Sequence, residues 1–251
     1  AILFVFNFTT VAAKNKGNIV IVHGAWGGAW DWKNVDSLLT EKGYKVYRIT
    51  LSGLGYSFHT MNRNIGLSTH ILDVVHFIEF EKLTDVILLG HSYGGMVITG
   101  VADKIPQRIK QLVYIDALLP YNGESLFSLR LNKKQSMDSV IKNAQKESKN
   151  DSVWIPGWVK PTDPYPTDVP HPFKSMLEKV SLSNQQATSK IKGLFILTVD
   201  KNQKPEEDSF YPYYIRAEEK HYKLYIMNNM SHVPERDDPK GLVDIMINNF
   251  Y

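Results

Sequence analysis

The sequence predicts an α/β domain: a mostly parallel sheet with helices on both faces and a lid inserted late in the chain. Three observations carry this expectation. Short apolar runs rich in β-branched residues alternate with segments of helical periodicity, as buried parallel strands and crossover helices require. One such run, Val86-Ile87-Leu88-Leu89, passes into Gly90-His91-Ser92-Tyr93-Gly94-Gly95 and then into an apolar helical segment at 96–102. Between 118 and 189 the alternation stops, and Pro156, Pro161, Pro164, Pro166, Pro170 and Pro172 exclude a central strand or helix from much of that stretch.

Taken in order, residues 1–18 open with an apolar run, Ala1-Ile2-Leu3-Phe4-Val5-Phe6-Asn7-Phe8, and pass through the small residues Val11-Ala12-Ala13 to a polar stretch. This segment reads equally as the tail of a secretory signal or as an accessory edge strand, which leaves the compartment, cytoplasmic or secreted, open. Ile19-Val20-Ile21-Val22 is the first buried strand, ending in the glycine-rich loop 23–32. A helix over about 32–42 sets Val35, Leu38 and Leu39 on one face and stops at Gly43. A strand at 44–51 and a turn at Ser52-Gly53-Leu54-Gly55 follow. Ser68 or Thr69 then caps a helix whose stripe is Ile71, Leu72, Val75, Ile78 and Phe80. After the serine turn and its helix comes a strand at 111–116. The core therefore occupies 19–117 and 190–251, with the lid at 118–189 between them. Strands at 194–199 and 222–227 and a helix at 242–250 complete it.

Composition excludes several functions. The formal charge of +3 is small, and the lysines at Lys133-Lys134 and over 142–149 are interrupted by acids or Gln, so no nucleic-acid partner is implied. The absence of cysteine removes disulfides, a thiolate nucleophile and Cys-ligated zinc. No apolar run reaches the length of a membrane span. Association as a homodimer stays open.

The chemistry starts at Ser92. A serine between a strand and a helix can sit in a strained turn when the residues two before and two after lack side chains, which Gly90 and Gly94 satisfy. A serine hydroxyl needs a base, and His232 lies in a loop after the strand at 222–227, at the same sheet edge. The base needs an acid. Asp200 ends the apolar strand at 194–199 and gives the chain order Ser92, Asp200, His232; Asp116, at the end of the strand after the serine helix, competes for that role. The N–H of Tyr93, next to the nucleophile, and that of Ala25, in the glycine-rich loop, are candidate oxyanion donors. That loop lacks the Gly-Lys-Ser/Thr ending of a phosphate loop. His23 is expected to shape it through a local hydrogen bond. Gly24, Trp26 and His91 near the serine, and Leu118, Trp154 and Trp158 at the lid, are the candidate substrate contacts.

With these residues assembled, the chain resembles the α/β-hydrolases, and within them the small capped esterases and hydroxynitrile lyases typified by plant methylesterases, with bacterial relatives. The resemblance rests on His23-Gly24-Ala25-Trp26-Gly27-Gly28-Ala29-Trp30, the serine motif, Thr198-Val199-Asp200-Lys201 and Ser231-His232. It implies a Ser-His-Asp triad without metal or organic cofactor, acting on small to medium uncharged esters or lactones. Lyase members of the plant type carry a threonine and a lysine where this chain has Gly24 and Val233, which points toward hydrolysis. Members with an aspartate nucleophile are excluded by Ser92. A small-molecule receptor of the same fold, with little turnover, is the reading from a different class.

Overall fold

Ile19, Val20, Ile21 and Val22 have no polar side chain to present to water, and they lie fully inside a sheet covered on both sides. This computed structural model describes residues 15–130, 136–148, 151–160 and 162–251; the expectations for residues 1–13, Lys133, Lys134 and Pro161 lie outside them. The strands are β1 (Asn18–Val22), β2 (Lys45–Ile49), β3 (Val86–His91), β4 (Ile109–Ile115), β5 (Val153–Trp154), β6 (His171–Pro172), β7 (Lys192–Val199) and β8 (Lys223–Asn228). Six of them form one sheet in the order β2-β1-β3-β4-β7-β8, every pair parallel, while β5 and β6 form a separate antiparallel pair.

Alternate residues of the central strands feed two cores. Ile19, Ile21, Ile87, Leu89, Val113 and Ile115 pack on one face with α1 (Lys33–Glu41) and the closing helix at Pro239–Asn249. Val20, Val22, Val86, Leu88 and Leu112 face the other core, covered by α2 (Leu67–Phe80), α3 (Gly94–Lys104) and a helix at Tyr211–Glu219. That last helix was not foreseen from the sequence.

The stripe on α2 differs from the expected one. Ile71, Val74, Val75 and Ile78 are buried, whereas Leu72 and Phe80 face solvent. The four buried positions follow the i, i+3, i+4, i+7 spacing of one helix face, and 72 and 80 fall off it. The cap also differs. The helix begins one residue before Ser68 with Gly66 as N-cap, and the Thr69 hydroxyl accepts from the Gly66 N–H at 3.2 Å.

Among its described residues, the segment between β4 and β7 carries four helices and β5-β6, and it covers the carboxyl edge of the sheet at Trp26 and Ser92. Val169 N donates to Trp26 O at 2.8 Å, and Ser183 N and Asn184 N donate to the Asp103 carboxylate on α3. These bonds tie the segment to the loop after β1 and to the serine helix.

Candidate active site

In a parallel sheet every strand delivers its following loop to the same edge, and four such loops converge here. The loop after β3 carries Ser92 at φ 52°. A Cβ on Gly90 would lie 2.7 Å from Gly94 O, and one on Gly94 would lie 2.6 Å from Val22 O. Only glycine fits at either position, so the turn closes tightly enough to raise the hydroxyl from the sheet.

His232 comes from the loop after β8. Met230 N donates to Val199 O at 3.1 Å, folding this loop back across the end of β7, and His91 Nε2–H donates to His232 O at 2.7 Å. The imidazole then lies with Nε2 2.8 Å from Ser92 Oγ and Nδ1 2.6 Å from Asp116 Oδ2. The carboxylate can only accept, so Nδ1 carries the proton and Nε2 is left to accept from the serine. The Phe210 ring stacks on the imidazole at 4.7 Å, with an interplanar angle of 16°.

The acid beside His232 is thus Asp116, and the expectation for Asp200 is corrected by sheet register. His91 pairs with Ile115 across β3-β4, which sets Asp116 level with Ser92; Ser92 N donates to Ile115 O at 3.2 Å. On the far side Ile115 pairs with Ile196, so Asp200 lies three residues beyond the level of Asp116. At about 3.3 Å per residue that is a displacement of about 10 Å along the strand. Asp200 is exposed, whereas Asp116 is buried and its Oδ1 accepts from Thr198 N at 3.0 Å. In the sequence the unbroken apolar strand before it favours Asp200; the stagger between strand ends exists only in the paired sheet.

The N–H groups of Ala25 and Tyr93 have no hydrogen-bond partner among the described residues; Ala25 borders the cavity at Ser92, and Tyr93 follows Ser92 in the chain. Gly24 brings the loop after β1 close to them: a Cβ there would lie 3.1 Å from Ser92 Cβ and 3.0 Å from His91 Nδ1. His23 shapes this loop from below. Its Nδ1–H donates to Gly24 O at 2.7 Å and its Nε2 accepts from Leu51 N at 3.2 Å. Burial holds its pKa down at about 4, so the neutral ring that these bonds require is kept.

A cavity of about 180 Å³ opens at Ser92, bounded by Gly24, Trp26, His91, Trp158, Val233 and Arg236 among others. Two expected contacts do not line it. Leu118 is buried, with its N–H on Ser92 O at 3.0 Å, and Trp154 meets Trp26 instead, its carbonyl accepting from the Trp26 indole at 3.1 Å. Arg236 is engaged, with Nε 2.6 Å from Asp31 and Nη2 3.3 Å from Asp168. Glu235 also borders the cavity, unforeseen. It is buried, 3.9 Å from His91 Nδ1, and burial pushes its carboxyl up to about 8. Among the described residues no three His, Cys, Asp or Glu side chains cluster as a metal site, and no helix is long and apolar enough to cross a membrane.

A sequence model described as the alpha/beta hydrolase family matches residues 19–245. Among curated proteins, the chain is 51% identical over 112 residues to a carbendazim hydrolyzing esterase of Nocardioides sp. (strain SG-4G), an alignment covering 45% of this chain and 46% of that protein. It is 32% identical over 108 residues to salicylic acid-binding protein 2 of Nicotiana tabacum, covering 43% of this chain and 42% of the relative. The matched stretch is thus less than half of either relative. Among solved structures, an extracellular alpha/beta-hydrolase from a Paenibacillus species superposes with a TM-score of 0.73 at 24% identity, covering 92% of this chain and 98% of the other. That likeness shows the same fold.

Proposed function

From the premise that this chain belongs to the alpha/beta hydrolase family, we propose that it is a serine esterase cleaving small, uncharged esters or lactones through an acyl-enzyme on Ser92. The observation that carries this reading is the unbroken relay Ser92 Oγ, His232 Nε2, His232 Nδ1 and Asp116 Oδ2, with contacts of 2.8 and 2.6 Å. The names of the relatives, an esterase among them, support the same reaction class.

The chemistry follows from the geometry. His232 Nε2 takes the Ser92 proton as Oγ attacks the ester carbonyl, and the resulting imidazolium is stabilised by the Asp116 carboxylate. The N–H groups of Ala25 and Tyr93 receive the oxyanion; each such donor is worth about 2.7–4 kcal/mol in the transition state. His232 then gives its proton to the leaving alkoxide, and water, activated by the same nitrogen, hydrolyses the acyl-serine. The cavity of about 180 Å³ favours a small acyl or alcohol group. Its one lining arginine is already paired with Asp31 and Asp168, which favours uncharged substrates. Val233 and Gly24, which border the cavity, offer no side-chain donor for a cyanide leaving group, which favours hydrolysis over lyase chemistry.

Steady-state alcohol release from a panel of p-nitrophenyl and methyl esters tests the reading. Sustained turnover abolished in the Ser92→Ala variant is expected. A single equivalent released and no more would identify a receptor of this fold instead.

A further inference from the structure

The oxyanion loop is not held by its own strand alone. At its centre Trp26 adopts φ 62°, and Gly27 N donates to Ala25 O at 2.8 Å, closing a three-residue turn of positive φ. Such γ-turns are rare and strained, and a bulky residue persists in one only where its surroundings over-determine it. Here the surroundings come from the inserted segment. His171 Nδ1 accepts from Trp26 N at 3.2 Å, Val169 N donates to Trp26 O at 2.8 Å, and Trp154 O accepts from the Trp26 indole at 3.1 Å. Both backbone polar groups of the strained residue are therefore fixed from across the cleft, at residues more than 100 positions away in sequence.

His171 is itself locked. It is fully buried, its Nε2–H donates to Ser175 Oγ at 2.8 Å, and that hydroxyl donates to Pro172 O at 2.8 Å. With Nε2 protonated, Nδ1 is left as the acceptor that Trp26 N requires. Resting on the esterase reading above, the geometry points to His171 as a positioning residue: it holds the turn at Trp26 so that the neighbouring Ala25 N–H faces the oxyanion formed at Ser92. The inserted segment then completes the oxyanion site as well as covering it. His171 touches no reacting atom. Its effect is carried by the peptide of Trp26, and it falls on the transition state rather than on the bound ester.

Three variants test this. His171→Leu removes the acceptor, His171→Asn offers the amide oxygen in place of Nδ1, and Val169→Pro removes the N–H that holds Trp26 O. Kinetics on p-nitrophenyl acetate are paired with affinity for an alkyl trifluoromethyl ketone, whose hemiketal on Ser92 carries an oxyanion, and for the matching alcohol, which cannot form one. The Leu and Pro variants are expected to lose about 100-fold in kcat, with KM within about threefold. Ketone affinity should fall in parallel and alcohol affinity should hold, and the Asn variant should recover most of the loss. Equal kcat in the Leu variant and the wild type, or an equal loss in the Leu and Asn variants, would overturn the assignment. Should the Leu variant not fold, the contrast between the Asn and Pro variants decides the question. A wild type without turnover would fail the esterase reading, and the ketone-against-alcohol comparison would still decide the role of His171.

Discussion

Replacing Asp116 by Asn keeps the shape of the side chain and removes only its charge and one acceptor. The consequence can be worked from its two partners. Oδ1 accepts from Thr198 N, a backbone donor fixed within β7, and Oδ2 accepts from His232 Nδ1. An asparagine must keep its oxygen on Thr198 N, because turning its NH₂ there would set donor against donor in a buried site. The NH₂ group then faces His232 Nδ1 and makes it the acceptor. The proton moves to Nε2, the nitrogen that must receive the serine proton. The fold is kept and the tautomer is wrong. Losses from such a substitution in a Ser-His-Asp triad run to about 10⁴-fold in kcat, and about 10³–10⁴ is expected here. The assay is kcat on p-nitrophenyl acetate for Asp116→Asn and Asp200→Asn side by side, with thermal unfolding to verify that both fold. Near-normal kcat in the Asp200 variant is the companion expectation, since that side chain is exposed and about three residues beyond the site. A crippled Asp200→Asn with a functional Asp116→Asn would refute the register argument.

Ser92→Ala and His232→Ala should each lower kcat by at least about 10⁴-fold while Tm moves by only a few degrees, read by kinetics and calorimetry. Gly24→Ala puts a methyl 3.1 Å from Ser92 Cβ and should lower kcat about tenfold or more on the same substrate; unchanged kcat would mean that the loop yields freely. Glu235 has a carboxyl raised from 4.5 to about 8 by burial, so the folded state holds a proton that the unfolded chain releases. Its contribution to stability is full below pH 4.5 and is lost as pH rises through 8. Relative to Glu235→Gln, the wild type should weaken by up to about 1.4 kcal/mol per pH unit in that window, measured by urea unfolding at several pH values. Parallel curves for the two proteins would mean that Glu235 is ionised in the fold.

The parts legible in the sequence were those whose cause is local. A β-branched run with no polar residue can only be buried, and Ile19 to Val22 are. Gly90 and Gly94 announced a turn that excludes a Cβ, and the contacts around them exclude one. The parts that were not legible depend on register and on long-range packing. Asp116 and Asp200 both follow apolar strands, and only the pairing of Ile115 with Ile196 tells which carboxylate is level with Ser92. Leu118 is expected at the pocket wall from its place at the start of the lid, yet its backbone is drawn back onto Ser92 O and its side chain enters the core. The helix at Tyr211–Glu219 starts with Tyr-Pro-Tyr-Tyr and buries only Tyr213 and Ala217, too sparse a stripe to stand out. Phe210, His171 and Glu235 had no motif of their own; each takes its place from elements distant in the chain.

The proposed mechanism turns on a covalent acyl-serine at Ser92. Intact mass spectrometry of the enzyme quenched during turnover of a slowly hydrolysed ester, followed by peptide mapping, tests it most directly. One acyl group per chain is expected, on the peptide containing Ser92 and absent from Ser92→Ala. Turnover with no adduct under any quench, or an adduct on another residue, would contradict it.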